Sequence, residues 1–306
     1  MRSLFGRPSL RPYSSYMQRS VLNPDGLTAR FLGTSSLLLS DGDTTLLCDG
    51  FVTRPGLLRV VLGRIGPDRA LVRDAIGRLE AHSLAAVFCA HTHYDHALDA
   101  PVWCLETGAD LVGSESTANV GRGVGLPESS LRVVEGGDAL TYGRFELTFL
   151  DSVHSPGDHY PGTVDQPLVP PAPARAWKTG TAFSVHVSHP RGSVLVHASA
   201  NHRPGMLAGC QADVVYLGVG LLGKQSPEFV RTYWDEVVGA SGARRVVLVH
   251  WDDFFTGLDR PLRPMRSFAD RFDTAMDQLL PLARRDGAEV VLPIVWQPTD
   301  PLAGLT

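Results

Sequence analysis

Apolar positions recur along this chain in two rhythms, one of strands and one of helices. Short apolar or alternating runs at 27–32, 36–40 and 44–48 predict strands. The last two flank Asp41-Gly42, a pair that favours a tight hairpin turn. Over 68–82 the period lengthens, with Leu71, Val72, Ile76 and Leu79 on one helical face. Residues 85–90 read as a short apolar strand that runs straight into a cluster of histidines. A helix over 98–107 should stop at Gly108, followed by a strand at 110–112 and a strand pair around Tyr142-Gly143 ending at Leu150.

Residues 155–180 interrupt this order. Pro156, Pro161, Pro167, Pro170, Pro171 and Pro173 deny the segment regular structure and predict a long loop. Strands resume at 181–187, 193–197 and 214–217. Helices are expected at 227–238 and 267–285, with strands at 245–250 and 289–292 around them. Strands and helices thus recur in two similar halves of mixed order, which points to α/β layers. No short-period sequence repeat accompanies them.

Composition narrows the class without changing this picture. The chain has 306 residues, 43% hydrophobic and 20% charged, with a net charge of -4. These values fit a globular protein and offer no electrostatic reason for a nucleic-acid partner. Length alone suggests about two domains. No stretch of about eighteen apolar residues exists to span a membrane. Arg2, Arg7 and Arg11 have no apolar run behind them, so a cytoplasmic protein without a secretory leader is expected. Residues 1–25, rich in Arg, Ser and Pro, read as an irregular arm ahead of one domain over 26–306. Cys48, Cys89, Cys104 and Cys210 form no CxxC pair and read as small core residues.

The chemistry gathers at His91-Thr92-His93-Tyr94-Asp95-His96. His91 and His93 stand two apart at a strand end, so their imidazoles can converge on one ion. Asp95 and His96 follow and point to a neighbouring position. Imidazole and carboxylate suit zinc, and a catalytic zinc keeps a position open for water. One local run cannot surround an ion, so distant ligands are required. His154 and His250 each end a predicted strand, where α/β folds gather their sites. His159 lies close enough in sequence to compete with His154. A histidine-rich surface turn, with a polar cap at His250, is the plain alternative.

The run HTHYDH resembles the HxHxDH signature of the metallo-β-lactamase superfamily. Asp49 in LLCDG, His154, a small polar segment at 197–201 and His250 arrive in that family's order, over roughly residues 28–292. The resemblance implies a four-layer αββα sandwich, which would place both halves in one domain. It implies His91, His93 and His154 around a first zinc, and Asp95, His96 and His250 around a second, with Asp49 bracing the ligand loop. Most members carry an aspartate that bridges the metals after the next strand; here Ser199 occupies that position. His197 and His202 are candidate substitutes, although each reads more simply as a supporting histidine. Di-iron relatives that reduce oxygen carry glutamate where this chain has His93, which favours hydrolysis and one or two zinc ions. Iron or manganese remains compatible with the donor set.

The chemistry implied is attack by metal-activated water on a polarised carbonyl or phosphoryl group, with Asp95 as ligand and orienter. The loop 155–180 leaves from His154 and is expected to cover the site as a lid or specificity wall. Its Tyr160 and Trp177 are candidates for touching substrate, or else aromatic plugs that hold the loop down. The segments ALDAPVWCLETGADLVGSES, ADVVYLGVG and VLVHWDDF look most like lactonase-type members, the ascorbate-phosphate lactonase group among them. A small cyclic ester is therefore the expected substrate, ahead of a β-lactam or other amide and of a phosphodiester. A metal-binding protein without catalysis is the reading from another class.

Overall fold

The computed structural model describes residues 6–23 and 26–305. Its strands form two seven-stranded sheets. The first runs from β1 (Thr28–Phe31) through β2 (Leu37–Ser40), β3 (Thr45–Cys48), β4 (Ala86–Phe88) and β5 (Asp110–Gly113) to β6 (Leu131–Val133). The second places β7 (Ala139–Tyr142), β8 (Phe145–Asp151), β9 (Phe183–His189), β10 (Gly192–His197), β11 (Val214–Gly218), β12 (Arg245–Val249) and β13 (Glu289–Val291) side by side. A final short strand, β14 (Pro298–Thr299), returns to pair with β1. Pairing is antiparallel from β1 to β3 and parallel from β3 to β6; in the second sheet it turns parallel from β10 onward.

The continuous apolar runs now have a cause. Successive side chains of a strand face opposite ways, and both faces of these sheets are covered. Leu37 and Leu39 enter the core between the sheets, whereas Leu38 enters the core outside the first sheet. Likewise Val247 and Val249 face inward, and Val246 and Leu248 face the outer core of the second sheet. Strands buried on both sides lose the polar alternation of a half-exposed sheet. Against the first sheet pack α2 (Arg69–Leu79), α4 (Ala100–Thr107) and α5 (Glu115–Gly123); against the second pack α6 (Pro227–Trp234) and α7 (Phe272–Asp286). The result is an αββα layering with two large sheets flanked by helices.

Several elements depart from their sequence-based bounds. The expected helix 267–285 begins only at Phe272, because the Asp270 carboxylate accepts the N–H groups of Leu221 and Arg271 and holds the preceding turn open. The expected helix 227–238 continues past Trp234 as a π-helical turn, Asp235–Gly239. Helix α5 was not expected, since glycine weakens helices. Here Gly121 lets it lie directly on the sheet: a Cβ there would stand 2.8 Å from Leu111 Cδ2. The short helix α1 (Leu57–Leu62) was likewise hidden among turn residues.

Residues 6–23 do not float. A 3₁₀ turn, Arg11–Tyr16, buries Tyr13 in the outer core of the second sheet, its ring edge-on to Phe272 at 5.6 Å. Gln18 then donates its N–H to Leu292 at 2.8 Å. Residues 1–5, 24 and 25 of the expected arm lie outside the described residues. No helix among the described residues is long and apolar enough to cross a membrane. All four cysteines are free thiols; Cys48, Cys89 and Cys104 are buried and Cys210 is half-buried.

Candidate metal centre

Three strand ends deliver the histidines to one edge of the sandwich. Strand β4 leads through Cys89 and Ala90 into His91, and the last residue before the motif is clamped on both sides. Ala90 donates its N–H to Asp49 at 2.9 Å and accepts from Phe183 at 2.7 Å. A single helical turn, α3 (Tyr94–Ala97), then carries Asp95 and His96. His154 follows the end of β8, and His250 follows β12 directly.

The six residues form two groups. One ligand atom from each of His91, His93 and His154 lies within 4.8 Å of the others, and the same holds for Asp95, His96 and His250. The first three rings stand 4.6 to 4.9 Å apart, centre to centre. In the second group Asp95 Oδ2 is 3.2 Å from His250 Nε2 and 3.7 Å from His96 Nε2. Two donors on one tetrahedral zinc at about 2.0–2.1 Å would stand about 3.3 Å apart, so these separations suit a shared cation. His159 belongs to neither group.

The hydrogen bonds behind the rings settle which nitrogen faces the centre. His96 Nδ1 lies 2.8 Å from the Asp49 carboxylate, and a carboxylate only accepts, so Nδ1 carries the proton. His154 Nδ1 donates to the Ser155 carbonyl at 3.0 Å. His93 Nε2 faces the Tyr160 carbonyl at 3.4 Å and Asp158 Oδ1 at 3.2 Å, so its Nδ1 keeps the lone pair. Three ring atoms are left with no hydrogen-bond partner: both nitrogens of His91 and Nε2 of His96 are buried and unbonded. Buried polar atoms without partners are rare and costly. A bound cation would satisfy them, so the residues present fit a metal.

Electrostatics agrees. Burial, reinforced by the neighbouring imidazoles, holds His91 well below the ordinary histidine range. Burial also lowers His93 and takes His154 down to about 4. These rings stay neutral and keep lone pairs for a metal. Burial opposes the charge on Asp95, but His96, His250 and His93 outweigh it and hold the carboxyl below its usual range. Burial likewise works against a charged His96, yet Asp49 and Asp95 raise it.

Asp49, expected to brace the ligand loop, is joined by supporting residues that sequence reasoning missed. Asp49 adopts left-handed backbone (φ 57°) and also accepts from Ser35 Oγ at 2.6 Å. Asp99 is fully buried and accepts the N–H groups of Val52 and Thr53 at 2.8 and 2.7 Å; burial raises its carboxyl to about 6. Asp158 bonds the Thr179 hydroxyl as well as facing His93. An isolated Asp in a proline-rich loop gave no sequence signal for that role.

The other candidates fall outside the two groups. Ser199 is buried just beyond β10. His202 packs its ring on Phe229 at 4.9 Å. His197 spends both nitrogens, on Ser184 Oγ at 2.7 Å and the Asn201 carbonyl at 3.0 Å. Tyr160 lies half-buried with its ring 6.2 Å from His93. Trp177 takes the plug position: it is 1% exposed, in a small core with Phe51, Tyr94 and Val120. The loop 155–180 is tied at many points. Thr92 donates to the Thr179 carbonyl at 2.8 Å, and Asn119 Nδ2 donates to Val164 at 2.8 Å. At Gly180 (φ 64°) a Cβ would stand 2.7 Å from Thr92 Oγ1, so only glycine fits where the loop meets the motif. His154 and His250 are the more exposed of the candidate ligands, with side chains 21% and 17% exposed against 1% for His96.

Solved structures share this architecture. YhfI of Bacillus subtilis, a metallo-β-lactamase fold protein, superposes with a TM-score of 0.51 at 16% identity, over 89% of this chain and 98% of its own. The chain has the metallo-β-lactamase fold. Igni18, a metallo hydrolase of the archaeon Ignicoccus hospitalis, gives 0.54 at 12% identity, over 87% of this chain and 94% of its own. CmlA, a diiron β-hydroxylase of Streptomyces venezuelae, gives 0.54 at 15% identity, over 91% of this chain and 54% of its own. No sequence-family model matches the chain, and neither does any curated protein sequence.

Proposed function

We propose that this chain is a metal-dependent hydrolase acting on a small ester, lactone or related molecule, with zinc as its metal. The observation that carries the reading is the pair of candidate ligand groups at one sheet edge, with both nitrogens of His91 and Nε2 of His96 buried and unpartnered. A divalent cation there would lower the pKa of a water to near neutrality and polarise the bond under attack. Five imidazoles and one carboxylate favour zinc by donor softness. A relative of the same fold is a metallo hydrolase, whereas CmlA is a diiron hydroxylase, so the metal needs its own test.

The chain's own residues have distinct tasks. Asp95 orients the second group and can take up a proton or pass one to a leaving group. His154 and His250 are the ligands most open to solvent, and Tyr160 lies beside His93 from the loop. Trp177 anchors the loop in the core beside Phe51 and Tyr94, holding its course. A lactonase-like substrate is supported by the sequence segments that resemble that branch. The net charge of -4 gives no electrostatic reason to expect nucleic acid as the substrate.

The test pairs elemental analysis with a panel of chromogenic esters, lactones, phosphodiesters and cephalosporins. One to two zinc ions per chain, and turnover lost on chelation and restored by zinc, are the expected results. Full activity after exhaustive chelation would overturn the proposal. Bound metal without turnover of any substrate class would leave a metal-binding protein in place of an enzyme.

A further inference from the structure

The six ligands bring a single carboxylate, Asp95, to two dications, and Ser199 stands where related chains place a second. Two further carboxylates lie directly behind the ligand histidines, one for each group. Asp49 Oδ2 is 2.8 Å from the outer nitrogen of His96, and Asp158 Oδ1 is 3.2 Å from the outer nitrogen of His93. Asp49 belongs to the β3–β4 framework. Asp158 belongs to the proline-rich loop, and its other oxygen also lies 3.9 Å from His154 Nδ1.

We propose that Asp158 is the positioning residue of His93: it fixes the imidazole with its proton on Nε2 and its lone pair on Nδ1, and it lends the first metal position anionic character. The inference rests on the metal-dependent reading above.

The geometry around Nε2 is specific. Three oxygens face that one atom: Asp158 Oδ1 at 3.2 Å, Thr179 Oγ1 at 3.1 Å and the Tyr160 carbonyl at 3.4 Å. The Thr179 hydroxyl gives its own hydrogen to the other Asp158 oxygen, so it too can only accept from His93. Three acceptors around one ring nitrogen demand that it be the protonated one. Asp158 is itself fixed, accepting the Tyr160 N–H at 2.9 Å. The Thr179 hydroxyl and the Tyr160 carbonyl accept from that N–H while Asp158 adds its negative charge at ion-pair distance. A carboxylate behind a ligand imidazole raises its basicity toward the metal and holds the ring plane. The loop therefore acts as a brace on the first position as well as a wall over the site.

The experiment uses the full chain, stripped of metal and titrated with cobalt(II) and zinc(II) against a chromophoric chelator. Asp158→Ala should weaken the tighter ion about 10- to 100-fold and leave the weaker one within about twofold. It should also change the cobalt d–d spectrum. Asp158→Asn should fall between, because its amide oxygen still accepts but carries no charge. In metal-free wild type, nitrogen NMR should find His93 protonated at Nε2, and Asp158→Ala should mix the two tautomers. An affinity unchanged in Asp158→Ala, with only a lower melting temperature, would overturn the inference and leave Asp158 as a loop tether. A wild-type His93 protonated at Nδ1 would overturn it even if the alanine variant failed to fold. A wild type that binds no metal at all would instead sink the metal-dependent reading and this inference together.

Discussion

The backbone N–H of His250 donates to the carbonyl of Thr34 at 2.6 Å, and both residues hold left-handed backbone, at φ 61° and 52°. Two non-glycine residues in that region are strained, and the structure around them supplies the restraint. Asp252 accepts the Thr34 N–H at 2.8 Å and pairs with Arg54 at 2.7 Å, both side chains fully buried. The turn between β1 and β2 thus braces the loop that carries a candidate metal ligand. Asp252→Ala would leave Arg54 buried without a counter-charge. The expected loss is about 3–5 kcal/mol, read by urea unfolding, together with weaker binding of the second ion. A loss under about 1 kcal/mol would show that Arg54 finds another partner or reaches water.

His91 and His93 sit at a strand end rather than in the apolar centre. Each to Ala should abolish most turnover and most metal uptake at the first position. The cost in folding should stay below the roughly 2–5 kcal/mol of a core truncation. Atomic absorption and denaturant unfolding on the same preparations check both halves. Wild-type metal content in the two variants would remove the motif from the chemistry.

Ser199 is neutral where a bridging carboxylate would offset two cations held about 3.5–4 Å apart. The second ion should therefore bind more weakly than the first and leave first under mild chelation. Ser199→Asp should tighten it, because a hard anionic oxygen is added between two repelling charges. Calorimetric titration of metal-free protein reads this directly. Two equally tight sites in wild type, with no gain in the variant, would refute the assignment of this position.

His197 lies fully buried with both nitrogens bonded, and burial takes it down to about 4. In the unfolded chain it takes up a proton near pH 6.5. Between those values the unfolded state binds more protons, so stability rises with pH. The contribution is fully present above about pH 6.5 and lost as pH falls towards 4. Metal-free protein should accordingly unfold at lower denaturant at pH 4.5 than at pH 7. His197→Gln should shrink that difference by on the order of 2–3 kcal/mol. A variant with the same pH dependence as wild type would place the linkage elsewhere.

Much of the scaffold was legible because it is local. Strand runs, the Asp41-Gly42 hairpin and the helix over Arg69–Leu79 follow from side-chain period and turn chemistry within a few residues. Helix α5 was illegible because its glycines weaken a helix in isolation and help only when the neighbouring strand is in place. The start of α7 was misread because the residue that interrupts the period, Asp270, is engaged by Leu221 from a distant turn.

The candidate site divides along the same line. The sequence alone determined the ligand types, the HTHYDH spacing and the arrival of His154 and His250 at strand ends, since those depend on chain order and strand length. Only the tertiary structure decided which imidazole nitrogen faces the centre, that Asp158 stands behind His93, that the loop buries its own Trp177, and that His197 and His202 are engaged elsewhere. Hydrogen bonds such as His96 to Asp49 join residues 47 positions apart. Whether such groups meet is set by how two sheets stack and where a long loop crosses them, and no periodicity in the chain records it.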